Sequence, residues 1–247
     1  MSHPKAASNQ RRLWIILGGV LLAIVAAVGV LAQQQTGGTD AAPKPSESSE
    51  AGTPSAGEEE PPALSSLARR DADDPQAMGA VDAPVVLIEY ADLRCTYCGL
   101  FASETLPEIV SEYVDSGKLR VEWHDAPVLG GSSPQAAIAQ SAASAQGKFW
   151  EFNAAIYATG SSSKTEWTTE SLIELAGTID GLDVEAFTAE LTNPKHEQLV
   201  SERAQQATQI GVRATPTFIV GDQVVQGAQP LEAMRTVIDE ELQRAGA

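Results

Sequence analysis

The longest apolar run in the chain covers residues 13–32, twenty residues without a charged side chain. A helix of that length is about 30 Å long, which matches the hydrocarbon core of a bilayer. Lys5, Arg11 and Arg12 precede the run and no acidic residue does. The pattern therefore predicts a single transmembrane anchor, with residues 1–12 in the cytoplasm and the rest of the chain outside it. The alternative is a cleaved secretory signal that ends near Ala32 and releases a secreted protein.

Residues 33–76 are rich in Ser, Pro, Gly, Ala and acids. Such a segment has too little apolar surface to compensate for the entropy lost on ordering. We expect a disordered acidic linker that separates the anchor from a globular domain at residues 77–247. Leu64, Leu67 and the pair Arg69 and Arg70 give a weak signal for a short helix near its end.

The first part of the globular domain has the pattern of a βαβ unit. Residues 84–91 form a short, mostly apolar run typical of a strand buried on both faces. A helix is predicted from residue 95 to about residue 115, kinked at Pro107 and ended by Gly117. Residues 119–124 alternate apolar and polar and predict the next strand, which pairs in parallel with the first.

The second part predicts a block of helices followed by ββα. Ser133 and Pro134 indicate a helix start and Gly147 its end. Further helices are predicted at residues 168–176, 183–191 and 193–210. Residues 217–220 and 223–226 flank a Gly-Asp turn and predict a hairpin, and a final helix opens at Pro230. The domain is therefore expected to be α/β.

Composition narrows the functional classes. The formal charge is −17, with 33 acidic and 16 basic residues, which argues against a nucleic-acid binder. The formal charge is +3 before the apolar run, −6 over residues 33–80 and −14 over residues 81–247. The chain has two cysteines and three histidines. A disulfide-stapled scaffold and a four-cysteine zinc site are excluded, and no metal site is predicted.

The two cysteines, Cys95 and Cys98, enclose Thr96 and Tyr97 where a buried strand meets a helix. Free N–H groups and the helix dipole favour a thiolate at Cys95, and Cys98 lies one turn further on the same face. This arrangement favours redox chemistry, in which Cys98 attacks a mixed disulfide on Cys95. The alternatives are a structural disulfide and half of a metal site.

Two other positions are candidates for the site. Glu89 is the charged residue in the run 84–91, and burying a carboxylate is costly unless it is neutralised or paired. It suits a proton acceptor for Cys98, whereas a strand-edge position would place it in solvent. Thr215 precedes Pro216, and spacing alone predicts a trans bond. Elsewhere, we expect His196 on a solvated helix face and Phe149 and Phe152 in a helical core.

Three blocks together carry a family resemblance: IEYADLRCTYCGLFA, QGKFWEFNAAIYA and IGVRATPTFIVGDQVVQGAQP. They resemble the DsbA-like branch of the thioredoxin superfamily over about residues 80–245. The resemblance implies a thioredoxin fold with a helical insertion at residues 134–205. It implies that Cys95 is the nucleophile, Cys98 the resolving thiol and Glu89 the buried carboxylate. It also implies that Pro216 is cis and faces the cysteines, and that Thr215 offers its backbone to substrate, next to Thr96 and Tyr97.

The expected function is a membrane-tethered, extracytoplasmic thiol–disulfide oxidoreductase that introduces disulfides into exported proteins. It needs no cofactor beyond the Cys95–Cys98 disulfide, and it needs a membrane redox partner. We expect a monomer. Strongly oxidising relatives carry Pro-His between the cysteines, where this chain has Thr96 and Tyr97, so the thiolate should be less stabilised. A reductase, an isomerase and a non-catalytic binding or holdase module are the alternatives.

Overall fold

The computed structural model describes residues 63–160 and 165–247. The predicted cytoplasmic residues 1–12, the predicted anchor 13–32 and most of the predicted linker lie outside the described residues. Among the described helices, none combines the length and the apolar character needed to cross a bilayer.

Five strands form a mixed sheet in the described part of the chain, in the order β1-β3-β2-β4-β5. They are β1 (Ala77–Met78), β2 (Val85–Ala91), β3 (Leu119–Asp125), β4 (Thr217–Val220) and β5 (Gln223–Gln226). The predicted parallel pairing of β2 with β3 is confirmed, and the other neighbours are antiparallel. All seven residues of β2 are buried, because this strand lies in the middle of the sheet.

Helix α1 follows β2 and has an irregular middle. Its turns are α-helical at Thr96–Leu100 and Leu106–Ile109 and widen to π-helical at Phe101–Thr105 and Val110–Val114. Pro107 has no N–H to donate to the preceding turn. The helix is therefore irregular near Pro107, as the sequence predicted, and the irregularity begins one turn before this residue. Helix α1 packs on one face of the sheet beside the last helix, α7 (Leu231–Ala245).

In the described part of the chain, five helices lie between β3 and β4, where the sequence predicted a block of helices. They are α2 (Ser133–Ser144), α3 (Phe149–Ala158), α4 (Thr169–Ala176), α5 (Val184–Glu190) and α6 (Pro194–Gln209). Phe149 and Phe152 are buried in the core of this block, as expected. The side chains of Thr168, Asp183 and Asn193 cap α4, α5 and α6.

His196 on α6 corrects an expectation. It is buried rather than solvated, with Nδ1 2.8 Å from Ser141 Oγ and Nε2 2.7 Å from Glu190 Oε2. The sequence around α6 does not reveal these partners, which come from α2 and α5.

Residues 63–76 are here called the N-terminal strap. They are bound to the sheet, whereas the sequence predicted a disordered linker as far as residue 76. The weakly predicted helix is a single 3-10 turn at Leu64–Leu67, and its leucines pack on the sheet face opposite α1 and α7. The backbone N–H groups of Arg69 and Arg70 donate to the buried carboxylate of Glu122 at 2.7 and 2.9 Å. Arg70 has a φ of +46°, which aims two successive N–H groups at one anion.

Candidate active site

The two cysteines lie where the central strand leads into helix α1. Cys95 is the N-cap residue of the helix and Cys98 lies in its first turn, as predicted. The Cys95 N–H donates to the Asp92 carbonyl at 2.8 Å. Both residues are free thiols, with 6% of Cys95 and none of Cys98 exposed.

The environments of the two sulfurs are opposite. The pKa of Cys95 is lowered to about 6, chiefly by a hydrogen bond with the Cys98 thiol. Burial opposes this effect, while the Thr215 side chain and the N–H groups of Cys98 and Tyr97 strengthen it. Burial, the hydrogen bond to Cys95 and the nearby charges of Cys95 and Glu89 hold the pKa of Cys98 well above its usual range. At neutral pH the Cys95 sulfur is therefore the better suited of the two to act as a nucleophile.

The segment before β4 lies against Cys95. The Thr215–Pro216 bond is cis, as the resemblance implied and contrary to the trans bond predicted from spacing alone. The Cys95 thiol donates to the Thr215 carbonyl at 3.2 Å. The Thr215 hydroxyl has no other partner among the described residues, so it can donate to the thiolate.

Glu89 lies in the middle of β2, between Trp123 of β3 and Phe218 of β4. Since side chains alternate along a strand, Glu89 shares with Leu87 the sheet face that α1 covers. Only 1% of Glu89 is exposed, so the solvent-edge alternative does not hold. Burial and the neighbouring Cys95 raise the pKa of Glu89 to about 8. A carboxylic acid that is mostly protonated at pH 7 therefore lies beneath the cysteines.

A cavity of about 320 Å³, here called the active-site cavity, opens beside Cys95. Its lining includes Thr96 and Tyr97, with Tyr97 63% exposed. Two apolar lining residues, Val128 and Leu129, were not predicted. They follow β3, and the position of loops at the carboxyl ends of parallel strands is the signal that could have identified them.

Sequence reasoning also missed a buried polar centre formed by Asp92. Its carboxylate accepts from the Arg94 N–H at 2.8 Å, the Leu129 N–H at 3.0 Å and the Ser133 hydroxyl at 2.8 Å. The Tyr157 hydroxyl donates to the Asp92 carbonyl at 3.1 Å. The turn before Cys95 is thereby fastened to the cavity loop and to the helical block.

The Arg94 side chain adds further bonds. Its guanidinium donates to the carbonyls of Gly130 and Thr165 and pairs with Glu166 at 2.7 Å. The visible signal for this centre was an acidic and a basic residue, Asp92 and Arg94, within the three residues before Cys95. In the described ranges, no cluster of three or more His, Cys, Asp or Glu side chains is arranged to hold a metal ion.

Comparison with known proteins gives a consistent result. Residues 71–240 match a family model described as thioredoxin. The probable disulfide bond formation protein D of Bacillus cereus is 30% identical over 174 residues, covering 68% of this chain and 79% of that protein.

Solved structures share the fold. The crystal structure of oxidised BdbD from Bacillus subtilis matches with a TM-score of 0.63 and 24% identity, over 68% of this chain and 92% of that one. Wolbachia pipientis α-DsbA1 matches with a TM-score of 0.59 and 25% identity, over 69% and 92%. Together with the paired cysteines, these matches place the chain in the DsbA-like branch of the thioredoxin superfamily, as a thiol–disulfide oxidoreductase.

Proposed function

We propose that this oxidoreductase introduces disulfides into exported proteins while anchored to the membrane by residues 13–32. The observation that carries the direction of the reaction is the pKa of Cys95, lowered to about 6. A stabilised thiolate stabilises the reduced enzyme, and it therefore makes the Cys95–Cys98 disulfide more oxidising. The relatives named for disulfide bond formation support the same direction.

The reaction begins with the enzyme disulfide. A substrate thiolate attacks Cys95 Sγ, the Cys95–Cys98 bond breaks, and Cys98 leaves as a thiolate. The mixed disulfide on Cys95 is then attacked at the substrate sulfur by a second substrate thiolate, and Cys95 leaves. Two electrons pass from the substrate to the cysteine pair, and the substrate gains one disulfide.

Glu89 supplies the proton that the leaving Cys98 thiolate takes up in the first exchange. The pKa of Glu89 is about 8 and that of Cys98 lies well above its usual range. The leaving Cys98 thiolate therefore takes up a proton, with Glu89 as the buried donor. When a membrane redox partner re-oxidises the pair, Glu89 accepts the proton from Cys98 again. The proposed cycle needs no cofactor beyond the Cys95–Cys98 disulfide.

The proposed cellular setting is supported by the charges that precede the apolar run. Lys5, Arg11 and Arg12 favour a cytoplasmic N-terminus and an extracytoplasmic domain. Fractionation of cells that express the whole chain tests this arrangement. We expect the protein in the membrane fraction and open to protease added from outside. A soluble extracellular form that begins after Ala32 would instead establish cleavage.

Oxidation of a reduced, unfolded ribonuclease tests the activity. We expect the oxidised enzyme to generate disulfides in it stoichiometrically. Cys95→Ser and Cys98→Ser both lack the enzyme disulfide, so we expect neither variant to generate any. Failure to transfer its disulfide, combined with rapid reduction of insulin disulfides, would identify a reductase instead.

A further inference from the structure

The hydroxyl of Tyr157 is a buried hydrogen-bond donor that the proposed reaction cycle does not use. Tyr157 lies on α3, in the helical block, and only 8% of it is exposed. Its hydroxyl donates to the Asp92 carbonyl at 3.1 Å, and the same carbonyl accepts the Cys95 N–H at 2.8 Å. A carbonyl oxygen has two lone pairs and can accept both bonds. The helical block therefore contacts the turn that leads into the cysteine pair.

The backbone of Asp92 contacts both cysteines. Its carbonyl accepts the Cys95 N–H, which closes the turn from residue 92 to residue 95. Burial is the largest cause of the raised pKa of Cys98, and the Asp92 N–H opposes this effect as a hydrogen-bond donor to the Cys98 sulfur. A movement of the Asp92 backbone therefore changes the position of Cys95 relative to Cys98.

The ring of Tyr157 packs against the residue that follows the cysteine pair. A Cβ atom added at Gly99 would lie 3.1 Å from the ring carbon Cδ1. The ring also packs near Trp123, with the two ring centroids 6.5 Å apart. Burial and the nearby charges of Cys98 and Glu89 raise the pKa of Tyr157 well above its usual range, so its hydroxyl keeps its proton at neutral pH. Tyr157 therefore bridges the turn before the cysteines and the glycine after them.

We propose that Tyr157 is a positioning residue for thiol–disulfide exchange. Its hydroxyl holds the Asp92 carbonyl, and thereby keeps Cys95 where its sulfur shares a hydrogen bond with the Cys98 thiol. That hydrogen bond is the largest cause of the lowered pKa of Cys95. Without the hydroxyl, the Asp92 turn can move, the hydrogen bond between the two sulfurs lengthens and the thiolate is less stable. The inference goes beyond the proposed function, since it holds for either direction of electron flow.

Tyr157→Phe tests the proposal, because it removes the hydroxyl and keeps the ring. The Asp92 carbonyl retains the Cys95 N–H as a donor, so no buried acceptor is left unpaired and the variant should fold. Complete loss of a hydrogen bond to a charged group changes a pKa by about one to two units. For a weakened bond, we expect the midpoint of Cys95 alkylation by iodoacetamide to rise by about 0.5–1 pH unit. At pH 7, the equilibrium constant for oxidation of glutathione by the enzyme disulfide should fall about three- to fivefold.

The matched control is Tyr113→Phe. Tyr113 is also 8% exposed, and its hydroxyl donates to the Asp239 carboxylate at 3.0 Å. It lies on α1 about four turns beyond Cys98. We expect this variant to lose a similar amount of stability in urea and to keep the wild-type alkylation midpoint and equilibrium constant. A role of Tyr157 in stability alone would leave the Cys95 midpoint unchanged in both variants.

The comparison between variants separates this proposal from the proposed function. An unchanged Cys95 midpoint in Tyr157→Phe, or an equal shift in Tyr113→Phe, would overturn the positioning role. Both quantities are compared with those of the wild-type protein, and neither is compared with the potential of an oxidant. The expected difference between the variants, found in a protein with the potential of a reductant, supports the role of Tyr157 and refutes only the proposed direction of the reaction.

Discussion

Cys95 and Cys98 are three residues apart, yet one faces a cavity and the other is enclosed beneath the helix. The pKa of Cys95 is about 6, and burial raises that of Cys98 well above its usual range. In the reduced protein, we expect alkylation of Cys95 to increase with a midpoint near pH 6, while Cys98 stays unmodified through neutral pH. Cys98→Ala removes the hydrogen bond that lowers the Cys95 pKa most, and should move the midpoint upward. A wild-type midpoint near 8.5, the value of a free thiol, would contradict this.

Burial makes ionisation of the Glu89 carboxyl group unfavourable, so its titration should affect stability. Its pKa is near 4.5 in the unfolded chain and about 8 in the folded one. Below pH 4.5 the protonated Glu89 side chain therefore makes its full contribution to the free energy of unfolding. That contribution is lost as the pH rises towards 8. Glu89→Gln should raise the free energy of unfolding at pH 7 by up to about 3 kcal/mol, and the gain should vanish below pH 4.5.

Urea denaturation of the reduced protein across pH measures this difference. Glu108→Gln changes an exposed glutamate on α1 and serves as the control, with an expected change near zero. If Glu89→Gln destabilised the protein at pH 7, the carboxylate would have a stabilising partner that is not seen among residues 63–160 and 165–247.

At the scale of elements, the sequence predicted most helices and strands, because their hydrophobic periods and caps are local. It did not predict the partners of the polar face of β3. Arg120, Glu122 and His124 alternate with apolar residues along the strand, and all three are buried. The N-terminal strap covers this face, and its composition resembles that of the linker before it. Local pattern cannot show that a polar segment binds buried charges far along the chain.

The strap itself gives a testable prediction. A chain that begins at Ala77 loses the N–H donors of Glu122 and the leucines that cover Ile88 and Ile219. A hydrogen bond to a charged group contributes about 1.5–3 kcal/mol. Glu122 loses two such bonds and keeps its pairing with Arg120, so we expect the free energy of unfolding to fall by at least about 2 kcal/mol. A chain that begins at Ala63 keeps the strap and is the control. Equal urea midpoints for the two chains would show that the strap contributes nothing to stability.

The turn that carries Asp92 gives another prediction at this scale. Asp92→Ala leaves the Leu129 N–H, the Arg94 N–H and the Ser133 hydroxyl without their acceptor. At about 1–3 kcal/mol for each buried group left unpaired, we expect a loss of at least 2 kcal/mol in thermal or urea unfolding. The control, Asp82→Ala, alters an exposed aspartate and should change stability little. Loss of stability by the same amount in both variants would contradict a special role for Asp92.

In the whole molecule, some residues of the candidate site could be predicted from the sequence and others could not. Cys95, Cys98 and Glu89 were predicted from a motif and from a charge in an apolar strand. The placement of Thr215 against Cys95 came from family resemblance, because 120 residues separate them. Val128 and Leu129 were missed, because only their position after a parallel strand marks them, and their distance from Cys95 along the chain hides the contact.

The reduction potential of the Cys95–Cys98 pair decides whether the enzyme is an oxidant or a reductant. Thioredoxin, with a nucleophile of pKa about 7, has a potential near −270 mV, and DsbA, with one near 3.5, has a potential near −120 mV. A nucleophile with a pKa of about 6 places this pair between them, at roughly −250 to −200 mV. Equilibration of the whole chain with glutathione buffers at pH 7 gives the value. A potential in that range supports an oxidant, whereas one at or below about −270 mV would contradict it and indicate a reductant.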